Sequence, residues 1–174
     1  MILNYKEEEL IGKIASVDTG TAIAFIPDDK KMSELQINQL IAVNSPRAGT
    51  HIIGMIVKMS RRLDEKILQN DIDDEKNDEN VVLPSNAIKL VFVGELRDKE
   101  GIKLNVFKRN VTTLPNIQSS CFRIDGDKLT KLMECISTIA ANAVTPLSLG
   151  KYFIDENSTA YIDGDKLFQR HAAI

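Results

Sequence analysis

Carboxylates are the most concentrated chemical groups in this 174-residue sequence. Residues 63–80 hold eight acidic side chains against two lysines, and residues 71–74 place three carboxylates within four positions. Such crowding could hold a divalent cation, but the segment lacks the glycine and the closing glutamate of an EF-hand. We therefore interpret 63–80 as a solvated acidic loop and predict no metal site.

The other residue types that commonly carry chemistry are few. The histidines are His51 and His171, and we interpret His51 as a surface or half-buried residue at the start of a strand. Cys121 and Cys135 lack the spacing of a zinc site, so we interpret both as buried free thiols. The sequence contains no nucleophile elbow, zinc-binding helix motif or phosphate-binding glycine-rich loop. We predict that this chain by itself has no catalytic residue and is not an enzyme.

The composition indicates a globular protein with a sizeable core. Hydrophobic residues make up 43% of the chain, charged residues 27%, and the net charge is -3. Aromatic residues are only 5% and Trp is absent, so we do not expect the chain alone to bind nucleic acid. The N-terminus lacks the features of a signal peptide, and no apolar run approaches the ~20 residues that span a bilayer. A cytoplasmic location without membrane contact is therefore expected.

We predict that residues 1–126 form a mainly β domain, which positions the residues described above. Short apolar segments separated by turn residues predict six or seven strands and a small closed β-barrel. Gly12 and Gly54 each lie in an Ile-Gly-x-Ile core and indicate bulges of the kind that barrels need at their corners. Residues 97–101 predict a charged turn, and the segment from residue 32 predicts a loop or short turn. The predicted strands cover 10–17, 21–26, 39–44, 51–60, 87–96, 102–107 and 120–124.

One amphipathic helix is predicted at 127–145. Apolar residues recur at i, i+3, i+4 and i+7, a turn at 125–127 supplies an N-cap, and Pro146 ends the helix. The apolar stripe either packs on the barrel or contacts a neighbouring subunit, and the sequence leaves both open.

The last part of the chain, 146–174, is predicted to contain a final barrel strand near 159–162 and a lead-in to a further domain. It ends on Ala172-Ala173-Ile174, an apolar run typical of the opening of a buried strand. Since an apolar strand needs a sheet that buries it, we expect the natural protein to continue beyond this point.

Segments spread over most of the chain resemble the N-terminal region of the HerA family, hexameric DNA-translocating ATPases of the FtsK-HerA superfamily. The tail segments 150–152, 159–168 and 170–174 look like the lead-in to the P-loop of that family. The barrel segments that match its looser pattern are Ile11-Gly12-Lys13-Ile14, Ile53-Gly54-Met55-Ile56, Gly94-Glu95-Leu96 and Phe107-Lys108-Arg109-Asn110-Val111.

The resemblance implies a HAS-barrel, similar to the N-terminal barrels of rotary ATPase subunits, in front of a RecA-like ATPase domain that this chain lacks. It also implies a hexameric ring whose barrels brace neighbouring subunits. The implied partners are a NurA-like nuclease, or a sirtuin-like NAD-hydrolysing or nuclease effector in antiphage systems. The full-length protein would use ATP and Mg²⁺ to move double-stranded DNA, whereas this chain would bind no cofactor.

Two surfaces are candidates for subunit or partner contact: the amphipathic helix, through Leu132, Met133 and Ile136, and the hairpin near 97–101, through Arg97 and Lys99. The expected function is an N-terminal oligomerisation and partner-docking barrel of a HerA-like translocase or helicase, in DNA end processing or antiphage defence. The alternatives are a stand-alone protein-binding barrel and the barrel of another P-loop ring ATPase.

Overall fold

The computed structural model describes residues 2–62, 85–101, 103–141, 146–153 and 155–164. A 3-10 helix at Glu7–Glu9 precedes two α-helices, α1 (Asp29–Ser33) and α2 (Gly126–Ala141). The strands are β1 (Leu10–Val17), β2 (Thr21–Phe25), β3 (Leu40–Asn44), β4 (Thr50–Arg62), β5 (Ser85–Glu100), β6 (Lys103–Lys108), β7 (Ser120–Arg123), β8 (Pro146–Tyr152) and β9 (Asp155–Asp163).

Six strands close into an antiparallel barrel, as the sequence predicts. The order around the barrel is β1-β2-β5-β4-β3-β7, and β7 pairs with β1 to complete the circuit. Strand β6 pairs with the second half of β5, outside the circuit. Closure leaves no unpaired edge in the barrel wall, which satisfies the backbone of its strands internally.

The predicted bulge at Gly12 is confirmed, whereas the bulge beside Gly54 belongs to the partner strand, because Val93 of β5 is the extra residue. The pairing of β1 with β7 shifts register between Leu10 and Gly12, and the pairing of β4 with β5 shifts between Ile53 and Gly54. Each bulge adds local bend and twist, and both lie in strands that must curve around a narrow barrel.

The predicted charged turn at 97–101 is wrong over most of its length. Strand β5 continues through Glu100, with Arg97 paired to Val106 and Lys99 to Leu104 of β6. The turn is confined to the segment around Gly101, whose φ is +61°. Charged side chains are compatible with a strand when one of its faces meets solvent, so pairing with β6 overrides the local composition.

The structure differs from the prediction a second time at helix α1. The sequence predicts a loop or short turn from residue 32. Asp28 caps the helix by accepting hydrogen bonds from the backbone N–H groups of Lys30 (2.8 Å) and Lys31 (3.2 Å). Its five residues are too few for a helical apolar repeat to be visible in the sequence. The helix nevertheless matters for packing, because Met32 is buried in the barrel core.

The strand predicted near 159–162 is present but does not belong to the barrel. Strands β8 and β9 pair with each other in a separate two-stranded sheet. Strand β8 begins at Pro146, the residue that the sequence marks as the end of the helix. An apolar strand pattern does not say which sheet it joins, which explains the misassignment.

Two hydrophobic cores result from the alternation of side chains along the strands. One fills the barrel, with Ile14, Ile41, Ile52 and Ile88 fully buried among its members. The other lies between the outside of the barrel and helix α2. It contains Leu3, Ala42, Ile53, Leu96, Phe107, Phe122, Ile124, Leu129 and Leu132. The amphipathic helix therefore packs on the barrel, the first of the two alternatives that its sequence leaves open.

Several predictions fall on residues outside the described ranges. The acidic loop 63–80, with its rejected metal site, and the tail from residue 165, including His171, lie there. Neither α-helix within the described part of the chain is long and apolar enough to cross a membrane.

Candidate functional site

The barrel interior is occupied by side chains. Ile14, Ile41 and Ile52 have no exposed surface, and Cys121 is also fully buried among them. Burial raises the pKa of the Cys121 thiol to about 12, so this cysteine is protonated and unreactive at neutral pH. Because a packed interior leaves no room for a ligand, functional contacts must use the outside of the barrel.

Strand β2 turns its large side chains outwards. Ala22 and Ala24 face the barrel core with 2% and 0% exposure, while Ile23 and Phe25 are each 42% exposed. Small residues suit the inside of a narrow barrel, and the alternation of the strand then leaves the bulky ones in solvent. Large exposed apolar side chains on the same face of a strand are a typical sign of a contact surface.

The sheet register extends this surface across three strands. Phe25 pairs with Ala87 of β5 and Ile23 with Lys89 of β5, and Lys89 pairs with Lys58 of β4. Val57, beside Lys58, is 38% exposed. We call this surface the outer sheet face. Its members are Ile23, Phe25, Met55, Val57, Lys58, Ala87, Lys89 and Val91.

The residues predicted for contact on helix α2 lie mostly beneath it. Leu132 is fully buried in the core between helix and barrel, so its side chain serves the fold of the chain itself. Met133 and Ile136 are partly buried against the same core. The helix is therefore a weaker candidate surface than the outer sheet face, which was not among the surfaces predicted from the sequence.

The residues predicted for contact on the β5–β6 hairpin have different surroundings. Arg97 is only 15% exposed and forms an ion pair with the buried carboxylate of Glu95. Thr112 completes this cluster. Its backbone N–H donates a hydrogen bond to the Glu95 carboxylate at 3.4 Å, and its hydroxyl donates another at 3.2 Å. Lys99 is exposed and lies opposite Leu104, which is 68% exposed. Of the two predicted residues, Lys99 is the one available to a partner.

The N-terminal segment is held on the outside of the barrel by aromatic contacts. Tyr5 stacks on Phe122 with 4.5 Å between ring centroids, and Lys128 Nζ lies 4.1 Å above the Tyr5 ring. His51 meets Tyr5 edge to face at 6.1 Å and is 7% exposed, so its predicted position at or near the surface is wrong. Burial lowers the pKa of His51, with partial opposition from Asp98, and the ring is neutral at neutral pH. This cluster anchors the segment.

Helix α2 begins on a polar cluster that joins it to strand β9. Asp155 Oδ2 accepts hydrogen bonds from the Gly126 N–H and from Ser158 Oγ, both at 2.6 Å. Thr130 Oγ1 accepts a further bond from the Thr159 N–H at 3.2 Å. The Ser158 hydroxyl, followed by the two backbone donors Gly126 and Asn157, lowers the pKa of Asp155 despite partial burial. A carboxylate at a helix N-terminus also interacts favourably with the helix dipole.

Asp155→Asn should destabilise the chain by about 1 kcal/mol at pH 7, because the neutral amide is a poorer acceptor at the helix end. A lowered pKa in the folded state means that the ionised form stabilises the fold. The contribution is therefore complete at neutral pH and disappears as the pH falls through the folded pKa of Asp155. Urea unfolding of both proteins at pH 7 and at a pH below the ordinary pKa of an aspartate side chain measures this, and an unchanged difference in stability between the two pH values would contradict it.

Two adjoining clefts lie where β1 begins. The larger, of about 330 Å³, is bordered by Glu7, Lys13, Phe25 and Asp28 among others. The smaller, of about 150 Å³, is lined by Glu8, Glu9, Ile11, Lys31, Glu34, Leu35, Arg123 and Asp125, and we call it the acidic cleft. Lys31 Nζ donates to the backbone carbonyls of Glu8 (3.0 Å) and Leu10 (2.7 Å), which ties α1 to the start of β1.

The described part of the chain contains no group of three or more His, Cys, Asp or Glu side chains that could hold a metal ion. No family model matches the chain, and no curated protein matches it either. The family resemblance therefore stays a prediction, whereas the closed barrel that it implies is present.

Proposed function

We propose that this chain is the N-terminal oligomerisation and partner-docking barrel of a HerA-like ATP-dependent DNA translocase. The observation that carries the proposal is the outer sheet face, where Ile23, Phe25 and Val57 are exposed on a closed barrel. Closure removes the backbone edges that would otherwise pair with another chain. Contacts between barrel walls are then made by side chains, and a rigid wall with exposed apolar side chains suits that role.

In this proposal the barrel braces a hexameric ring, and chemistry belongs to a motor domain beyond this chain. The motor would bind ATP and Mg²⁺ and move double-stranded DNA in the cytoplasm, and the 174-residue chain would itself be neither an enzyme nor a nucleotide-binding protein. A nuclease of the NurA type, or a sirtuin-like or nuclease effector, would dock on the barrel ring. The pathway would be DNA end processing or antiphage defence.

The test uses the longest protein encoded by the gene, purified with and without the double change Ile23→Glu and Phe25→Glu. Mass photometry should show a ring of about six copies for the unchanged protein, and smaller species for the variant, because carboxylates on an apolar interface are costly to desolvate. DNA-stimulated ATPase activity should fall with ring assembly.

The matched control is Leu149→Glu, an apolar-to-acidic change at a residue of β8 that is 61% exposed. The control should assemble like the unchanged protein. An encoded protein without a Gly-x-x-x-x-Gly-Lys-Ser/Thr segment would refute the translocase assignment and favour a stand-alone binding barrel. If the variant with Ile23→Glu and Phe25→Glu still forms rings, the ring does not assemble through the outer sheet face.

A further inference from the structure

Two lysines stand directly opposite each other in the middle of the outer sheet face. Lys58 of β4 and Lys89 of β5 are register partners, and both are exposed. Like charges at directly opposed positions repel each other and destabilise a sheet. No member of the outer sheet face is acidic, so none of its own residues offsets this repulsion. An anionic surface that covers both lysines would relieve this repulsion.

The same chain offers a surface of opposite charge. Five carboxylates surround the acidic cleft when the exposed Glu7 is counted with those that line it. Three cations lie among them. The cations are Lys31, Arg123 and Lys128. Lys31 is bound to backbone carbonyls. Arg123 lies 3.3 Å from Glu34 and 2.6 Å from Asp125. Glu7 and Glu8, on the exposed side of the 3-10 helix, extend the negative charge outwards.

We infer that the outer sheet face of one copy of this chain docks on the acidic cleft of a second copy. The inference rests on the proposed function, since it names the surfaces through which the barrels would assemble. The outer sheet face is centred on β5 and the acidic cleft borders β1, and β2 lies between these strands. The two surfaces are neighbours around the barrel, since Phe25 borders the larger cleft that adjoins the acidic cleft, but they share no residue. A head-to-tail contact of this kind leaves one free surface of each type, and it forms a ring when the rotation between successive copies closes.

The first experiment measures self-association of the 174-residue chain by sedimentation velocity over a range of concentrations. Lys58→Glu with Lys89→Glu should weaken association roughly tenfold or more at low salt, because like charges would then face each other. The matched control, Lys131→Glu with Lys151→Glu, changes the same net charge on α2 and β8, where both lysines are exposed. It should associate like the unchanged chain, and added salt should weaken association of the unchanged chain.

The second experiment tests whether the occupant is a second copy. Glu7→Lys with Glu8→Lys reverses charge at the rim of the acidic cleft and should also weaken association roughly tenfold. An equimolar mixture of this variant with the Lys58→Glu, Lys89→Glu variant should associate again, since each then supplies a surface complementary to the other. Circular dichroism of each variant confirms that it is folded.

The outcomes separate the inference from the proposed function. An unchanged chain that stays monomeric at every concentration would refute this interface, while the ring test on the longest encoded protein decides the proposed function independently. Association that survives the charge reversal on β4 and β5 would overturn this interface alone. A mixture that fails to associate, although each variant is folded and weakened, would overturn the second copy as occupant.

Discussion

Gly94→Ala should destabilise the barrel by roughly 3 kcal/mol or more, a large fraction of the about 5–15 kcal/mol by which native domains are stable. A Cβ atom at this position would overlap the backbone carbonyl oxygen of Lys108 and would lie 2.6 Å from Phe107 Cζ. Phe107 is buried in the core beneath α2, and the carbonyl belongs to strand β6. Neither can move without disturbing the pairing of β5 with β6 or the packing of the helix.

Chemical denaturation of the two proteins measures the effect, with helical and β-sheet signals followed separately. Gly20→Ala is the matched control, because a Cβ atom there meets nothing within 4 Å. It should be neutral or slightly stabilising, since alanine restricts the unfolded chain. Equal stability of the two variants would show that the backbone at Gly94 has more room than this structure gives it.

Glu95→Ala is the second change with a large expected effect, about 3 kcal/mol. Glu95 is 1% exposed, and its carboxylate is the shared acceptor of Arg97 and Thr112. Removing the carboxylate leaves the largely buried guanidinium of Arg97 without this ion pair, and a charge in that position is costly. It also releases the segment after β6, which Thr112 holds against β5.

A double-mutant cycle measures the coupling directly. If the pair is the source of the effect, adding Arg97→Ala to Glu95→Ala should cost less than Arg97→Ala costs alone. Lys99→Ala, two residues further along the same strand and exposed, should change stability by only a few tenths of a kcal/mol. Strict additivity of the two changes would mean that the ion pair contributes little and that lost packing explains the destabilisation.

Strand positions in the barrel follow from the sequence, because apolar segments and turn residues report local structure directly. Strands β1, β2, β3 and β7 match the predicted segments to within a residue at each end. The bulge at Gly12 was also visible, since a glycine inside an apolar strand commonly marks a bulge or a sharp bend. The full lengths of β4 and β5 could not be predicted, because these strands extend past their apolar centres by pairing with each other and with β6.

The candidate surface escaped the sequence for a physical reason. In residues 21–25 the large and small side chains alternate, and either set could face the core. The choice depends on the width of the finished barrel, which accepts Ala22 and Ala24 inside and leaves Ile23 and Phe25 outside. The cross-strand pairing of β4 with β5 that brings two lysines together was equally hidden, because it joins residues far apart in the chain. Burial of Leu132 likewise depends on where helix α2 packs against the barrel.

The closing seam of the barrel has a consequence for how the protein folds during synthesis. The partner of one edge of β1, strand β2, follows it directly in the chain, whereas the partner of its other edge, β7, is at Ser120–Arg123. The ribosome must therefore add roughly a hundred residues while that edge stays unpaired, and contacts of such long range form slowly. Translation intermediates that stop before residue 120 would expose β1, and these are the species that chaperones would have to shield.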